Sequence, residues 1–180
     1  MEPSTFHEVQ RFRQTWIWAL TLLLCVVPVG VMLWGVYQQL VLGKPFGDNP
    51  MSDRGMIVLT VVVVIIVGGI VWMVGFSSLT TEVSSRGIRV RFSPFHRKWR
   101  EFRTDEIEEV KVGKYRPIAE YGGWGLRMGL KGWAYNVSGN QGAENRFRSG
   151  KNLLIGTQKP SELALALSGM GIKVLRDGRS

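Results

Sequence analysis

The residues best suited to bind a charged ligand are six basic side chains within a stretch of fifteen residues. Only one acid, Glu101, interrupts them: Arg89, Arg91, Arg97, Lys98, Arg100 and Arg103. Near an anionic leaflet each such charge contributes roughly 1 kcal/mol, an attraction that falls off over about a Debye length. The cluster therefore predicts a contact with anionic lipid headgroups. Retention of membrane topology by positive charge, together with solubility, is the alternative explanation.

A second candidate contact is the aromatic and glycine-rich segment YRPIAEYGGWG, residues 115–125. Its glycines permit positive φ angles or close backbone approach, and its aromatic rings supply contact area. We predict a contact with a protein partner through the following side chains: Tyr115, Arg116, Tyr121 and Trp124. The alternative is a structural loop whose rings cover an open end of a β domain or lie at a membrane interface.

The remaining ionisable residues do not form a recognisable site. The acids of residues 105–109 are contiguous, so several of them must face solvent, and they suit the start of a helical turn. His7 and His96 have no neighbour at metal-ligand spacing, and Cys25 is the single cysteine. No nucleophile elbow, phosphate loop or nucleic-acid-binding signature is present. We predict no catalytic residues, no metal, no cofactor and no nucleic acid partner, with an unknown enzyme as a minor alternative.

Two long apolar runs must position these candidate contacts. Residues 14–43 carry no charge, and the run MIVLTVVVVIIVGGIVWMVGF, residues 56–76, is also uncharged. Its 21 residues would extend about 32 Å as a helix, enough to cross a hydrocarbon core of about 30 Å. We predict a transmembrane hairpin in residues 14–76, with helices at about 14–38 and 55–76. A cleaved signal peptide is disfavoured by the length of the first run and by the lack of a cleavage site.

The charge distribution predicts the orientation of this hairpin. Residues 1–75 hold four basic and four acidic side chains, whereas residues 76–180 hold 19 basic and 10 acidic ones, so the net charge of +9 belongs to the second part. Because basic flanks stay on the cytoplasmic side, we predict a multi-pass protein of the plasma membrane with both termini in the cytoplasm. Neither run contains an ionisable side chain, which argues against a pump or carrier.

Beyond Phe76 the apolar pattern changes to a period of two, which is typical of short strands. Hairpin turns follow one another, and a helix opens after Pro160 with Leu163, Leu167 and Met170 on one face. We predict a cytoplasmic α+β domain at residues 77–176, preceded by a polar tail at residues 1–13 and followed by a tail at residues 177–180.

Two segments of this domain resemble a known family. GKNLLIGTQKPSELALALS, residues 150–168, is similar to the end of the bacterial pleckstrin-homology-like (PH-like) domain, and YGGWGLRMGLKGWAYNVSGNQG, residues 121–142, resembles one subgroup of prokaryotic membrane proteins of unknown function with a helical hairpin in front. The resemblance covers most of residues 56–176. It implies a small antiparallel β-barrel or sandwich of about seven strands, capped by a C-terminal helix, and no general set of catalytic residues.

These observations favour a non-catalytic, membrane-tethered module that binds a protein partner or associates with itself at the cytoplasmic face. The alternative is a sensor of anionic lipid surfaces that uses the basic cluster.

Overall fold

The structure, a computed structural model, describes residues 5–96, 98–129 and 132–176. The chain forms two compact units. One, which we call the helical hairpin, comprises Arg13–Gly75, and the other, which we call the β body, comprises Met1–Phe12 together with Phe76–Ser180. The N-terminal segment therefore belongs to the same unit as the C-terminal part of the chain.

The helical hairpin contains helix α1, Thr15–Val36, which continues as a π-helical turn at Tyr37–Val41, and helix α2, Asp53–Phe76. These bounds lie close to the ranges expected from the sequence. Within Thr15–Val41 and Asp53–Phe76, 18-residue windows have mean hydropathies of 2.3 and 3.0, and both helices are long and apolar enough to cross a membrane.

Contacts at both ends of the hairpin show that its helices run antiparallel. Near one end the Trp18 ring of α1 lies against Gly75 of α2. At the other end the Gln39 side-chain amide donates hydrogen bonds to the Met51 carbonyl and to the Asp53 carboxylate, both at 2.8 Å. The polar connection between the helices is thus fixed by side-chain hydrogen bonds.

The first sheet of the β body is a four-stranded antiparallel meander. Its strands, in spatial order, are β1, Phe6–Arg11; β2, Ser78–Ser84; β3, Gly87–Ser93; and β4, Arg100–Arg103. A short 3₁₀ turn at Thr104–Glu106 leads from this sheet to the next one.

The second sheet has six strands in the order β10-β5-β8-β9-β7-β6. Its strands are β5, Ile107–Lys114; β6, Gly125–Gly129; β7, Gly132–Asn136; β8, Gln141–Phe147; β9, Asn152–Gly156; and β10, Lys173–Arg176. Helix α3 spans Pro117–Tyr121 and helix α4 spans Pro160–Ser168. The pairs β10–β5 and β7–β9 are parallel and the others are antiparallel.

Strand β1 lies within the segment that the sequence predicted to be a polar tail. It pairs with β2 from Phe6 opposite Val83 to Arg11 opposite Ser78. Phe6, Glu8 and Gln10 alternate inward and are buried. Two of these three inward residues are polar, so the alternating apolar pattern that marks a strand is absent from the sequence. In the sequence, the helical hairpin therefore lies between two strands that are hydrogen-bonded to each other.

Both sheets and helix α4 contribute to one hydrophobic core. The rings of Phe102 on β4 and Phe147 on β8 meet at a centroid distance of 5.3 Å. Leu163, Ala164 and Leu167 of α4 are buried against the strands. The described part of the chain has ten strands in two sheets and no closed barrel, whereas the sequence predicted about seven strands and left the choice between barrel and sandwich open. The additional strands include β1, whereas the sequence already suggested a last strand at Ile172 and Val174, where β10 lies.

Candidate functional site

A buried polar contact joins β1 to the segment between β9 and α4. The Glu8 carboxylate accepts hydrogen bonds from the Thr157 hydroxyl at 2.7 Å and from the Gln158 backbone N–H at 2.8 Å. The Gln10 side-chain amide donates to the Gly156 carbonyl at 2.7 Å. Buried carboxylates are retained where their oxygens are satisfied in this way. Glu8 therefore connects the first sheet to the second.

The predicted lipid contact is divided by the alternation of the strands. Arg89 and Arg91 lie on the outer face of the first sheet, with their guanidinium carbons 5.3 Å and 4.8 Å from the centre of the Trp99 ring. Arg89 also pairs with Glu82 at 2.6 Å and with Glu101 at 3.6 Å. Much of the Arg89 charge is consequently compensated within the sheet, which weakens its attraction for a lipid surface.

The other basic residues of the cluster have different surroundings. Arg103 forms two hydrogen bonds of 3.1 Å with the Asp105 carboxylate. Arg100 lies on the opposite face of β4 from Glu101 and is close to Tyr135 and His96. Burial, and to a smaller extent the Arg100 charge, lower the pKa of His96. Lys98 is exposed, and Arg97 lies outside the described residues. The six residues do not form one continuous cationic surface among the described positions.

The segment 115–125 is largely structural. Tyr115 and Tyr121 are 8% and 5% exposed and pack edge to face, 6.0 Å apart, in a small cluster with Ala134 and Leu154. The indole of Trp124 donates to the Gly139 carbonyl at 2.8 Å. Arg116 is exposed and Trp124 is partly exposed. Only these two of the four predicted contact residues present a side chain to a partner.

Helix α3 ends within this segment through a glycine in the left-handed region. Gly122 has φ 71°, and the N–H groups of Gly122 and Gly123 donate to the Ile118 and Pro117 carbonyls at 2.9 Å and 3.0 Å. These hydrogen bonds satisfy carbonyls at the helix end, the usual role of a glycine in this position. The glycines of this segment thus have a structural explanation.

Burial raises the pKa of both Tyr115 and Tyr121 from the ordinary value of 10.0 to about 12, with nearby Glu144 and Glu120 adding to the effect on Tyr121. The folded-state pKa of each phenol lies above its unfolded value. The free energy of unfolding is therefore unaffected by these phenols below about pH 10 and decreases as the pH rises towards about 12. Between about pH 9 and pH 11.5 we expect the free energy of unfolding of the β body to fall by about 2 kcal/mol more in the native chain than in Tyr121→Phe.

This alkaline effect is measured from urea midpoints obtained by pulse proteolysis of the β body in the full chain. Tyr37→Phe is the control, because Tyr37 lies in the helical hairpin and is exposed. Equal pH dependence of the native chain and Tyr121→Phe would contradict the burial of Tyr121.

An exposed apolar pair on the second sheet was not predicted from the sequence. Met128 on β6 and Trp133 on β7 are directly opposite each other and are 73% and 45% exposed. Met128 alternates with Arg127 and Gly129, and Trp133 is in phase with Tyr135 and Val137, so the sequence pattern predicts that both face inward. The strand pattern identifies the face on which a residue lies, but not where the core beneath that face ends.

Comparisons of the chain with protein-family models, with curated proteins and with solved structures find no match. The resemblance to PH-like domains therefore stays a prediction from the sequence. Within residues 5–96, 98–129 and 132–176, no group of three or more His, Cys, Asp or Glu side chains is arranged to hold a metal ion.

Proposed function

We propose that the helical hairpin spans a membrane and that the β body is a non-catalytic interaction module tethered to it. The length and apolar composition of α1 and α2 support the first statement. The pairing of Arg11 with Ser78 supports a tether that restricts the motion of the β body, because the two connections to the helices start from neighbouring positions of one sheet. A body held by two short connections has little freedom to move away from its anchor.

The same pairing supports the proposed topology. Two strands that are hydrogen-bonded to each other must lie on the same side of a membrane, so the pairing of β1 with β2 supports two crossings of the hairpin over a single one. The excess of basic residues after Phe76 favours the cytoplasmic side of the plasma membrane for both termini.

We propose a PH-like fold for the β body. Seven of its strands, β1–β4 with β5, β8 and β9, are followed by α4, and neighbours within each set pair antiparallel. Strands followed by a C-terminal helix are the outline of the family that the sequence resembles. In this interpretation β6, β7 and β10 are additions to the second sheet, and fold alone does not identify an activity.

The observation that carries the interaction role is the exposed apolar pair of Met128 and Trp133. Exposed large apolar groups that adjoin each other are characteristic of interaction surfaces. Such a pair favours a protein partner, which includes a second copy of this chain.

Site-specific photo-crosslinking in native membranes tests this role. We expect a photoreactive residue in place of Met128 to give a defined crosslinked protein or a crosslinked dimer, identified by mass spectrometry. The product should disappear when Trp133→Asp is added. Lys114, which is exposed on β5, is the matched control position and should give no such product. Equal products at both positions, or none at Met128, would overturn the proposal.

A lipid-surface role is the second candidate, because one observation favours it. The last residue of β3, Ser93, pairs with Ser78, so the segment that follows begins beside the connection to α2. In that segment Phe95 is 54% exposed and Lys98 is exposed. An exposed ring and an exposed lysine in the same short segment suit the headgroup region of an anionic leaflet.

An environment-sensitive fluorophore on Phe95→Cys, in a Cys25→Ser background, tests this second role. In nanodiscs that contain anionic lipid we expect a blue-shifted emission that high salt and Lys98→Glu both reverse. Identical emission in zwitterionic and anionic nanodiscs would exclude the lipid contact.

A further inference from the structure

The two sheets of the β body leave a cavity of about 700 Å³, widely open to solvent, between β4 and the ends of β7, β8 and β9. Its apolar wall consists of four side chains: Phe102, Trp133, Phe147 and Leu153. This volume lies in the range of sites that bind small organic molecules, and such sites combine apolar walls with a few polar groups.

Tyr135 is one of the residues around this cavity, and its hydroxyl is buried beside it. Tyr135 is 1% exposed, and its hydroxyl makes no hydrogen bond of good geometry within the part of the chain that the structure describes. Burial raises the pKa of Tyr135, and the smaller, opposite effect comes from the neighbouring Arg100 guanidinium. The phenol is consequently neutral near pH 7 and has a proton to donate. A buried donor without a partner is costly unless a ligand or water accepts its hydrogen bond.

The rim of the cavity is cationic. Arg100, Arg148 and Lys151 line it, together with Asp105 and Glu106. Asp105 is already hydrogen-bonded to Arg103, which compensates its charge. The cations outnumber the acids, and a guanidinium beside a phenol hydroxyl is suited to an oxyanion.

We propose that this cavity binds an anionic amphiphile, whose carboxylate or phosphate headgroup contacts Arg100 and the Tyr135 hydroxyl while its apolar chain lies against Trp133, Phe102 and Phe147. This role goes beyond the proposed protein contact, which shares only Trp133 with it. The ligand class also matches the membrane tether proposed above, because amphiphiles partition into membranes. Loss of Arg100 or of the hydroxyl removes headgroup contacts without altering Met128.

The test uses the full chain in nanodiscs of zwitterionic lipid and a decanoic acid that carries a photoreactive diazirine. We expect the label on peptides that contain Trp133–Tyr135 and Phe147–Leu153. Unlabelled decanoate and decyl phosphate should compete with it, and their relative potency identifies the preferred headgroup. Decanol and inorganic phosphate should compete at least about tenfold less well, because each lacks one half of the proposed recognition.

Two variants separate binding in the cavity from partition into lipid. We expect Arg100→Gln to weaken labelling about tenfold and Tyr135→Phe about fivefold, since each loses contacts to the headgroup while retaining most of its packing. Lys114→Gln, a basic residue outside the cavity, should leave labelling unchanged. Ser149→Trp places a large ring at an exposed position on the rim and should block the label. This variant provides the test if Arg100→Gln and Tyr135→Phe are both poorly folded.

Several outcomes would overturn the proposal. These are label confined to α1 and α2, equal competition by decanol or by inorganic phosphate, and unchanged labelling in both Arg100→Gln and Tyr135→Phe. Because neither Arg100 nor Tyr135 belongs to the apolar pair, a negative result here leaves the crosslinking test of Met128 unaffected.

Discussion

A chain that begins at Ser77 is expected not to fold, whereas a chain in which residues 1–12 are joined directly to residues 77–180 by a short turn is expected to fold in water. The reason is β1, which covers the edge of β2 and inserts Phe6 into the core. Without β1, the Thr157 hydroxyl and the Gln158 N–H lose the Glu8 carboxylate that accepts their hydrogen bonds.

The expected loss is comparable to the whole stability of a small domain. Removal of a buried phenylalanine costs about 3–5 kcal/mol, and each lost hydrogen bond to Glu8 or Gln10 adds about 1 kcal/mol. Domains of this size are stable by only about 5–15 kcal/mol. The shortened chain should therefore show a disordered far-ultraviolet circular dichroism spectrum and aggregate, and it should lack a cooperative urea transition.

The joined chain is the control for the shortened chain, because it lacks the helical hairpin but retains β1. Because Arg11 and Ser78 are opposite each other in the sheet, an Asn-Gly turn in place of residues 13–76 closes an ordinary β-hairpin. In this joined chain Glu8→Ala should lower the urea midpoint strongly and Val9→Ala, on the exposed side of β1, should change it little. If residues 77–180 alone unfold at the same urea concentration as the joined chain, β1 is not part of the body.

The elements that the sequence predicted well have apolar patterns that burial alone produces. The alternating positions of β2 and β3, such as Leu79, Val83 and Ile88, are fully buried as predicted. The predicted apolar face of α4 is also buried at Leu163 and Leu167. An apolar pattern cannot identify a strand such as β1. Glu8 and Gln10 can face inward only because residues 156–158 supply their hydrogen-bond partners.

The tyrosines of the segment 115–125 show a different limit. Whether a ring next to glycines is exposed depends on residues distant in sequence, which provide the space for it. A Cβ atom at Gly142 would lie 3.3 Å from the Tyr115 ring, and one at Gly156 would lie 3.5 Å from its hydroxyl. Room for the Tyr115 ring therefore depends on Gly142 of β8, whereas the distance at Gly156 is an ordinary contact, and the local sequence gives no indication of this.

The spacing of the basic cluster, by contrast, predicts which of its members lie on each face of the first sheet. Arg89 and Arg91 are two residues apart and share a strand face, whereas Arg100 precedes Glu101 and must lie on the opposite face from it. The period of two, applied to β4, is therefore sufficient to separate Arg100 from the outer face. The register then places Arg89 opposite both Glu82 and Glu101, which explains their ion pairs.

Gly87→Ala is expected to destabilise the β body by on the order of 4 kcal/mol, the sum of backbone strain and overpacking. Gly87 ends the β2–β3 turn with φ 146°, and a Cβ atom there would overlap the Phe102 carbonyl of β4. Backbone atoms of a paired strand cannot move aside without breaking the β3–β4 ladder, so relaxation is costly.

Gly150→Ala is the matched control for this substitution. Gly150 lies in the β8–β9 turn with φ 78°, and nothing lies within 4 Å of a Cβ atom placed there. Only the left-handed backbone is strained, so the cost should be about 1 kcal/mol. The sequence marks both glycines as turn formers, and only the packing of β4 against Gly87 distinguishes them. Equal shifts of the urea midpoint, measured by pulse proteolysis of the full chains, would show that β4 is not paired to β3 at this position.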